Sequence, residues 1–106
     1  MKTRITELFG IEFPIQCGGM LWIATPELAA AISNTGAMGN LTSGNYNSAD
    51  ELRAAIDKTR SLTGKPFIVN ITTMPSIRLP TELLQDFFRV CCEKQVTAIE
   101  IAGAPV

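Results

Sequence analysis

Apolar residues along this chain fall into two alternating patterns. Short, nearly continuous apolar runs alternate with longer stretches in which apolar side chains recur every three or four positions. The first pattern suits strands buried on both faces, the second amphipathic helices. Four strands are predicted: Phe13-Pro14-Ile15-Gln16-Cys17, Ala37-Met38-Gly39-Asn40-Leu41, Pro66-Phe67-Ile68-Val69-Asn70-Ile71 and Thr97-Ala98-Ile99-Glu100-Ile101. Three helices lie between them. The first starts at Pro26 with Thr25 as its cap, carries Leu28, Ala31 and Ile32 as its apolar stripe, and ends at Gly36. The second opens on Ser48-Ala49-Asp50-Glu51, a capping box in which glutamate reaches back to the serine N–H. Leu52, Ala55, Ile56 and Leu62 share its buried face, Lys58 and Arg60 sit where the helix dipole favours cations, and Gly64 stops it. The third runs from about Glu82 to Lys94, with Leu84, Phe87, Phe88 and Cys91 at helical spacing. Thr73 to Pro80 is a loop with two prolines.

The order is β-α-β-α-β-α-β, with strand starts separated by about 24 to 30 residues, the length of a βα unit. Such alternation predicts an α/β fold with a parallel sheet. A (β/α)8 barrel and a doubly wound open sheet both satisfy it. A complete barrel needs roughly 200 residues or more, so these residues are expected to form the N-terminal half of one, as a portion of a single domain spanning 1–106. Two sheet edges and part of one face remain uncovered, which predicts homo-oligomerisation or docking through those edges.

Small polar residues and glycines cluster just after each strand: Gly18-Gly19-Met20, Asn40-Leu41-Thr42-Ser43-Gly44, Asn70-Ile71-Thr72 and Ala102-Gly103. In parallel α/β proteins these carboxyl strand ends are where ligands bind. A flat or phosphorylated small molecule is the class they suit.

Charge and composition narrow the partners. A net charge of −1 gives no basic footprint for nucleic acid. No apolar run reaches the roughly 18 residues of a membrane span. The start, Met1 to Glu7, has no long apolar stretch and carries an acid early, so no signal peptide is predicted. Three cysteines, two of them adjacent, form neither a disulfide framework nor a zinc pattern, and a reducing cytoplasm is the expected setting. Histidine is absent, which removes the commonest general base and metal ligand.

Several residues admit two readings. Gly18-Gly19 is either a tight turn or a surface for a ligand, and Met20 either faces that ligand or fills a core gap. Asn70 interrupts an apolar strand, so its amide bonds either neighbouring loops or a ligand. Thr72 is a strand-end residue or a ligand contact. Glu100 between two isoleucines is either an active-site acid or part of a structural network, with Arg4 or Arg78 as partner, and the network is the preferred reading. Trp22 covers a pocket or packs on the first helix. Cys17 reads as a buried strand cysteine rather than a redox thiol, and Cys91-Cys92 belongs to a helix. Asn40 to Asn47 is a polar loop, with or without ligand contacts.

The segment Pro14-Ile15-Gln16-Cys17-Gly18-Gly19-Met20-Leu21-Trp22 resembles the first strand and loop of the nitronate monooxygenase family, also called 2-nitropropane dioxygenases. The resemblance continues through Thr25 to Gly39, Leu62 to Ile71, and Ile99-Glu100-Ile101-Ala102-Gly103. It implies an FMN-dependent TIM barrel among nitronate monooxygenases, enoyl-acyl-carrier-protein reductases and NAD(P)H:quinone reductases. It further implies that Gly18, Gly19 and Met20 lie against the flavin, that Asn70 and Thr72 reach it, and that Ala102 and Gly103 leave room beside it. The family's phosphate-binding loops and catalytic histidine belong to the later half of the barrel. The 106 residues alone are therefore expected neither to hold FMN tightly nor to turn over. The implied function is FMN-dependent oxidation of nitronates or reduction with NAD(P)H as donor, on a small-molecule substrate. The alternatives are a non-catalytic half-barrel acting by oligomerising or docking, and a flavin-free α/β protein binding a phosphorylated metabolite.

Overall fold

The computed structural model describes residues 1–74 and 79–104. In chain order these form α1 (Arg4–Phe9), a 3-10 turn (Leu21–Ile23), α2 (Pro26–Asn34), β1 (Gly39–Thr42), a second 3-10 turn (Ser43–Asn45), α3 (Ala49–Leu62), β2 (Phe67–Thr72), α4 (Thr81–Glu93) and β3 (Ile99–Ala102). The sheet order is β1-β2-β3, all parallel. Gly39 stands opposite Phe67 and Thr42 opposite Asn70; Asn70 in turn stands opposite Glu100.

The first predicted strand is reduced to a single parallel bridge between Gln16 and Met38. Met38 N–H donates to the Ile15 carbonyl at 2.8 Å and Cys17 N–H to the Met38 carbonyl at 2.9 Å. The Ile15 N–H, which would extend this ladder, donates instead to the Phe13 carbonyl at 2.8 Å, so the pairing stops there. A helix that the apolar pattern misses, α1, precedes it. Thr3 and Thr6 cap each other there, the Thr6 N–H donating to Thr3 Oγ1 at 3.1 Å and the Thr3 N–H to Thr6 Oγ1 at 2.8 Å. Of the predicted loop from Thr73 to Pro80, residues 75–78 lie outside the described residues.

The remaining helices follow their caps. Thr25 Oγ1 accepts from Leu28 N–H at 3.4 Å, and Ser48 Oγ accepts from Glu51 N–H at 3.2 Å. The Glu51 carboxylate reaches one residue further than the predicted box and accepts from the Asn47 N–H at 2.7 Å. Gly36 closes the first predicted helix at φ +97°.

The buried stripe of α2 is not Leu28, Ala31 and Ile32 but Pro26, Ala29, Ala30 and Ser33. Small side chains face the sheet because the helix backbone comes very close. A Cβ on Gly39 would lie 2.0 Å from the Ala29 carbonyl oxygen. Ser33 exploits this approach: its hydroxyl donates to the Pro66 carbonyl at 2.8 Å and accepts the Gly39 N–H at 3.0 Å. One buried serine thus ties α2 to the starts of β1 and β2. On α3 the buried face is Leu52, Ala55, Ile56 and Thr59; Leu62, at the helix end, is 45% exposed rather than buried.

Odd-numbered strand residues face the helices. Leu41, Val69 and Ile71 pack with Leu52, Ile56, Phe87 and Val90 into the main core. Each such fully buried side chain contributes about 1.5–3 kcal/mol. On the other side of the sheet, Ile68 packs with Ile11 and Met38. Arg60 does more than balance a dipole: its guanidinium donates to the carbonyls of Lys94 and Gln95 beyond α4, and Lys58 pairs with Glu27 of α2. No helix among the described residues is long and apolar enough to cross a membrane.

In urea unfolding of the full-length protein, Gly39→Ala is expected to lower stability by about 3 kcal/mol, because backbone must move to admit the methyl. Gly64, with open space at its Cβ position, supplies the control: Gly64→Ala changes stability by less than about 1 kcal/mol.

Candidate functional site

Even-numbered strand residues point away from the main helical core. Near the carboxyl ends of the strands these are Asn40 and Thr42 of β1, Asn70 and Thr72 of β2, and Glu100 and Ala102 of β3. The face is polar where the opposite face is aliphatic, and the Gly18-Gly19-Met20 loop lies beside it.

Glu100 organises this face. Its Oε1 accepts from Asn70 Nδ2 at 2.8 Å and from the Gly19 N–H at 3.1 Å, and its Oε2 accepts from Gln16 Nε2 at 3.0 Å. The network reading of Glu100 therefore holds, but its partners are neutral amides, not Arg4; Arg78 lies outside the described residues. Gln16 is a member that sequence reasoning missed. Its position in an edge segment gave no signal that its amide turns toward the fourth predicted strand.

Of the predicted cofactor contacts, Gly18, Gly19 and Met20 are all exposed, Asn70 is buried and Thr72 half-buried. A Cβ on Gly18 would meet nothing within 4 Å. Gly19 is different: its Cβ would lie 2.5 Å from Asn70 Cγ, so the missing side chain makes room for the Asn70 amide. Gly103 likewise does not hold space open. A Cβ there would lie 2.9 Å from Met74 Cγ, and its φ of +114° is one that glycine adopts readily.

The loop that follows Met20 carries backbone strain. Leu21 has φ +43°, a left-handed conformation costing a branched residue about 1–2 kcal/mol. Asn45 Nδ2 donates to the Leu21 carbonyl at 2.7 Å, and Ala24 N–H donates to the same oxygen at 2.9 Å. The predicted polar loop Asn40 to Asn47 begins as β1 and continues as the 3-10 turn, whose Asn45 has a structural task, holding the first loop. Trp22 is 60% exposed.

Two buried polar atoms on the polar face, Asn40 Oδ1 and Thr42 Oγ1, have no hydrogen-bond partner among the described residues. The Asn40 amide nitrogen is occupied, donating to the Cys17 carbonyl at 3.0 Å. Leaving such an acceptor unpaired costs about 1–3 kcal/mol, so these atoms mark where an external polar group is favoured. A cleft of about 390 Å³ between Arg60, Lys65, Phe67 and Thr97 lies at the opposite, amino end of β2, away from this polar layer.

Cys17 is half-buried, and its thiol is pushed up first by burial and then by the Glu100 carboxylate. The expected buried strand cysteine is thus half-buried and lies just past the Gln16–Met38 bridge, and a raised thiol is not a redox-activated one. Burial also pushes Cys91 up to about 12.

The family model for nitronate monooxygenase matches residues 2–104. The chain belongs to the nitronate monooxygenase family. The nitronate monooxygenase of Pseudomonas aeruginosa is 45% identical over 71 residues, which are 67% of this chain and 20% of that protein. A (3aS,4S,5R,7aS)-5-hydroxy-7a-methyl-1-oxo-octahydro-1H-indene-4-carboxyl-CoA dehydrogenase of Rhodococcus jostii is also 45% identical, with the same coverage. Among solved structures, a FabK mutant from Thermotoga maritima superposes with TM-score 0.86 at 42% identity, covering 99% of this chain and 33% of that one. The nitroalkane oxidase of Streptomyces ansochromogenes gives TM-score 0.56 at 35% identity, covering 71% and 21%. The chain therefore spans about a third or less of these relatives and corresponds to the N-terminal part of a TIM barrel.

Membership of this family implies a flavin. The polar strand ends fit one on chemical grounds: a flat ring needs a surface without Cβ atoms, as at Gly18, and polar partners such as Asn40 and Thr42.

Cysteine alkylation of the native full-length protein at pH 8.5, read by peptide mass spectrometry, tests the burial pattern. Exposed Cys92 is expected to react first and Cys17 more slowly than a free thiol. Cys91 reacts only after unfolding. Because its folded pKa of about 12 exceeds the ordinary value of 9.0, Cys91 also withdraws stability as pH rises from about 9 toward 12.

Proposed function

We propose that this chain is the N-terminal part of an FMN-dependent oxidoreductase whose cofactor sits at the carboxyl ends of the strands. The observation that carries the reading is the polar layer there, with its unpaired buried acceptors Asn40 Oδ1 and Thr42 Oγ1 beside the open Gly18. When bound, FMN supplies the electron transfer, oxidising a nitronate or, once reduced by NAD(P)H, reducing an activated acceptor. Gly18, Gly19 and Met20 provide one wall, and Asn70 and Thr72 provide polar contacts at the end of β2. Histidine, the commonest general base, is absent from these residues. Proton transfer therefore falls to the later part of the barrel, along with the phosphate-binding loops.

A second reading draws on exposed apolar side chains. Ile15, Trp22 and Ile23 at the first loop and Ile101 on β3 are open to solvent. They favour a non-catalytic half-barrel that pairs with another copy or docks onto a partner chain through its open edges.

Purified full-length protein is expected to be yellow, with a flavin absorbance band and FMN released on denaturation. Stopped-flow mixing with NADH, NADPH and a nitronate then identifies the reductant. Colourless protein that rebinds no FMN, and whose sedimentation depends on concentration, supports the half-barrel reading instead.

A further inference from the structure

Three segments far apart in sequence meet at one carboxylate. The Gly19 N–H and the Asn70 amide share Oε1 of Glu100, while Gln16 takes Oε2. The donors are neutral, and none of the ion pairs found among the described residues includes Glu100. Among the described residues the carboxylate is used as an acceptor with a defined position, not as half of a salt bridge.

Its position is tightly bounded. Gly19 and Asn70 are already so close that a Cβ on Gly19 would overlap the Asn70 carboxamide. One oxygen accepting from both fixes the first loop relative to the end of β2. Glu100 itself is fixed by the sheet register, directly opposite Asn70 on the neighbouring strand. A side chain held this way places two other residues without needing to touch a ligand.

We propose that Glu100 is a positioning residue for the cofactor site: its carboxylate holds the Gly18-Gly19-Met20 backbone against Asn70, so that the two strand ends present one surface to the flavin. This rests on the flavin reading above. Reach matters here and charge does not. A glutamine at this position keeps an oxygen where Oε1 accepts its two hydrogen bonds. Its NH2 then faces Gln16, whose own amide can turn to offer oxygen. An aspartate keeps the charge but falls one methylene short.

The test is FMN titration of the full-length apoprotein, followed by quenching of flavin fluorescence, with melting of each apoprotein by circular dichroism as the control for folding. E100Q is expected to bind FMN within about threefold of the unaltered protein, and E100D about tenfold or more weakly, from the loss of hydrogen bonds to both loop and Asn70. The visible circular dichroism of bound flavin should change in E100D and be restored in E100Q. E100A adds a third point, and the E100D and E100Q pair decides if E100A fails to fold. FMN affinity and flavin spectrum unaltered in E100D, or E100Q as weak as E100D, overturn the positioning role while leaving the flavin reading intact. Absence of FMN binding by the unaltered full-length protein overturns the flavin reading and this proposal with it.

Discussion

The close approach of α2 to β1 at Gly39 is the constraint on which much of the fold depends. The Ala29 carbonyl occupies the space that a side chain on Gly39 would need. Such contact requires glycine on the strand and small residues on the helix, and Ala29, Ala30 and Ser33 supply them. Ser33 then closes the joint, bonding the beginnings of two adjacent strands through one hydroxyl. A βα unit packed this tightly at its amino end leaves the carboxyl end of the sheet free for polar residues. This division matches the general separation in β/α barrels between a stabilising face and a functional one.

Much of this architecture was legible in the sequence. Helix starts were readable because Thr25 and Ser48 are strong caps, and β2 because a continuous apolar run of its length suits few alternatives. What was not legible shares a physical cause. The buried face of α2 was misassigned because hydrophobicity identifies large apolar side chains, whereas close packing selected small ones. The first strand was overestimated because apolar residues alone do not reveal that the Ile15 N–H turns back to the Phe13 carbonyl. Helix α1 was missed although Ile5, Leu8 and Phe9 recur at helical spacing and Thr3 and Gly10 flank it with start and stop signals, because six residues give less than two turns of pattern.

The site was legible by location but less so by role. Sequence reading placed the candidate residues after each strand, and Asn70 and Glu100 stand together in that layer. Yet Gly19 and Gly103 were read as space for a ligand, and each is filled by a neighbouring side chain, Asn70 and Met74. A glycine in sequence says that something comes near; it does not say whether that something is a cofactor or the protein. Nor did spacing disclose that Gln16, Gly19 and Asn70 would converge on one acid, because their neighbourhood is created by parallel pairing across the sheet.

That parallel pairing has a kinetic consequence. Gly39 pairs with Phe67 and Val69 with Ile99, so each new strand joins the sheet by closing a loop of about 30 residues. The entropic cost of adding β2 and then β3 is therefore nearly the same. Arg60 reinforces the sequence of steps, since a side chain from α3 secures the carbonyls that end α4. A sheet built from equal closures can lengthen unit by unit as the chain leaves the ribosome, each finished unit serving as the template for the next.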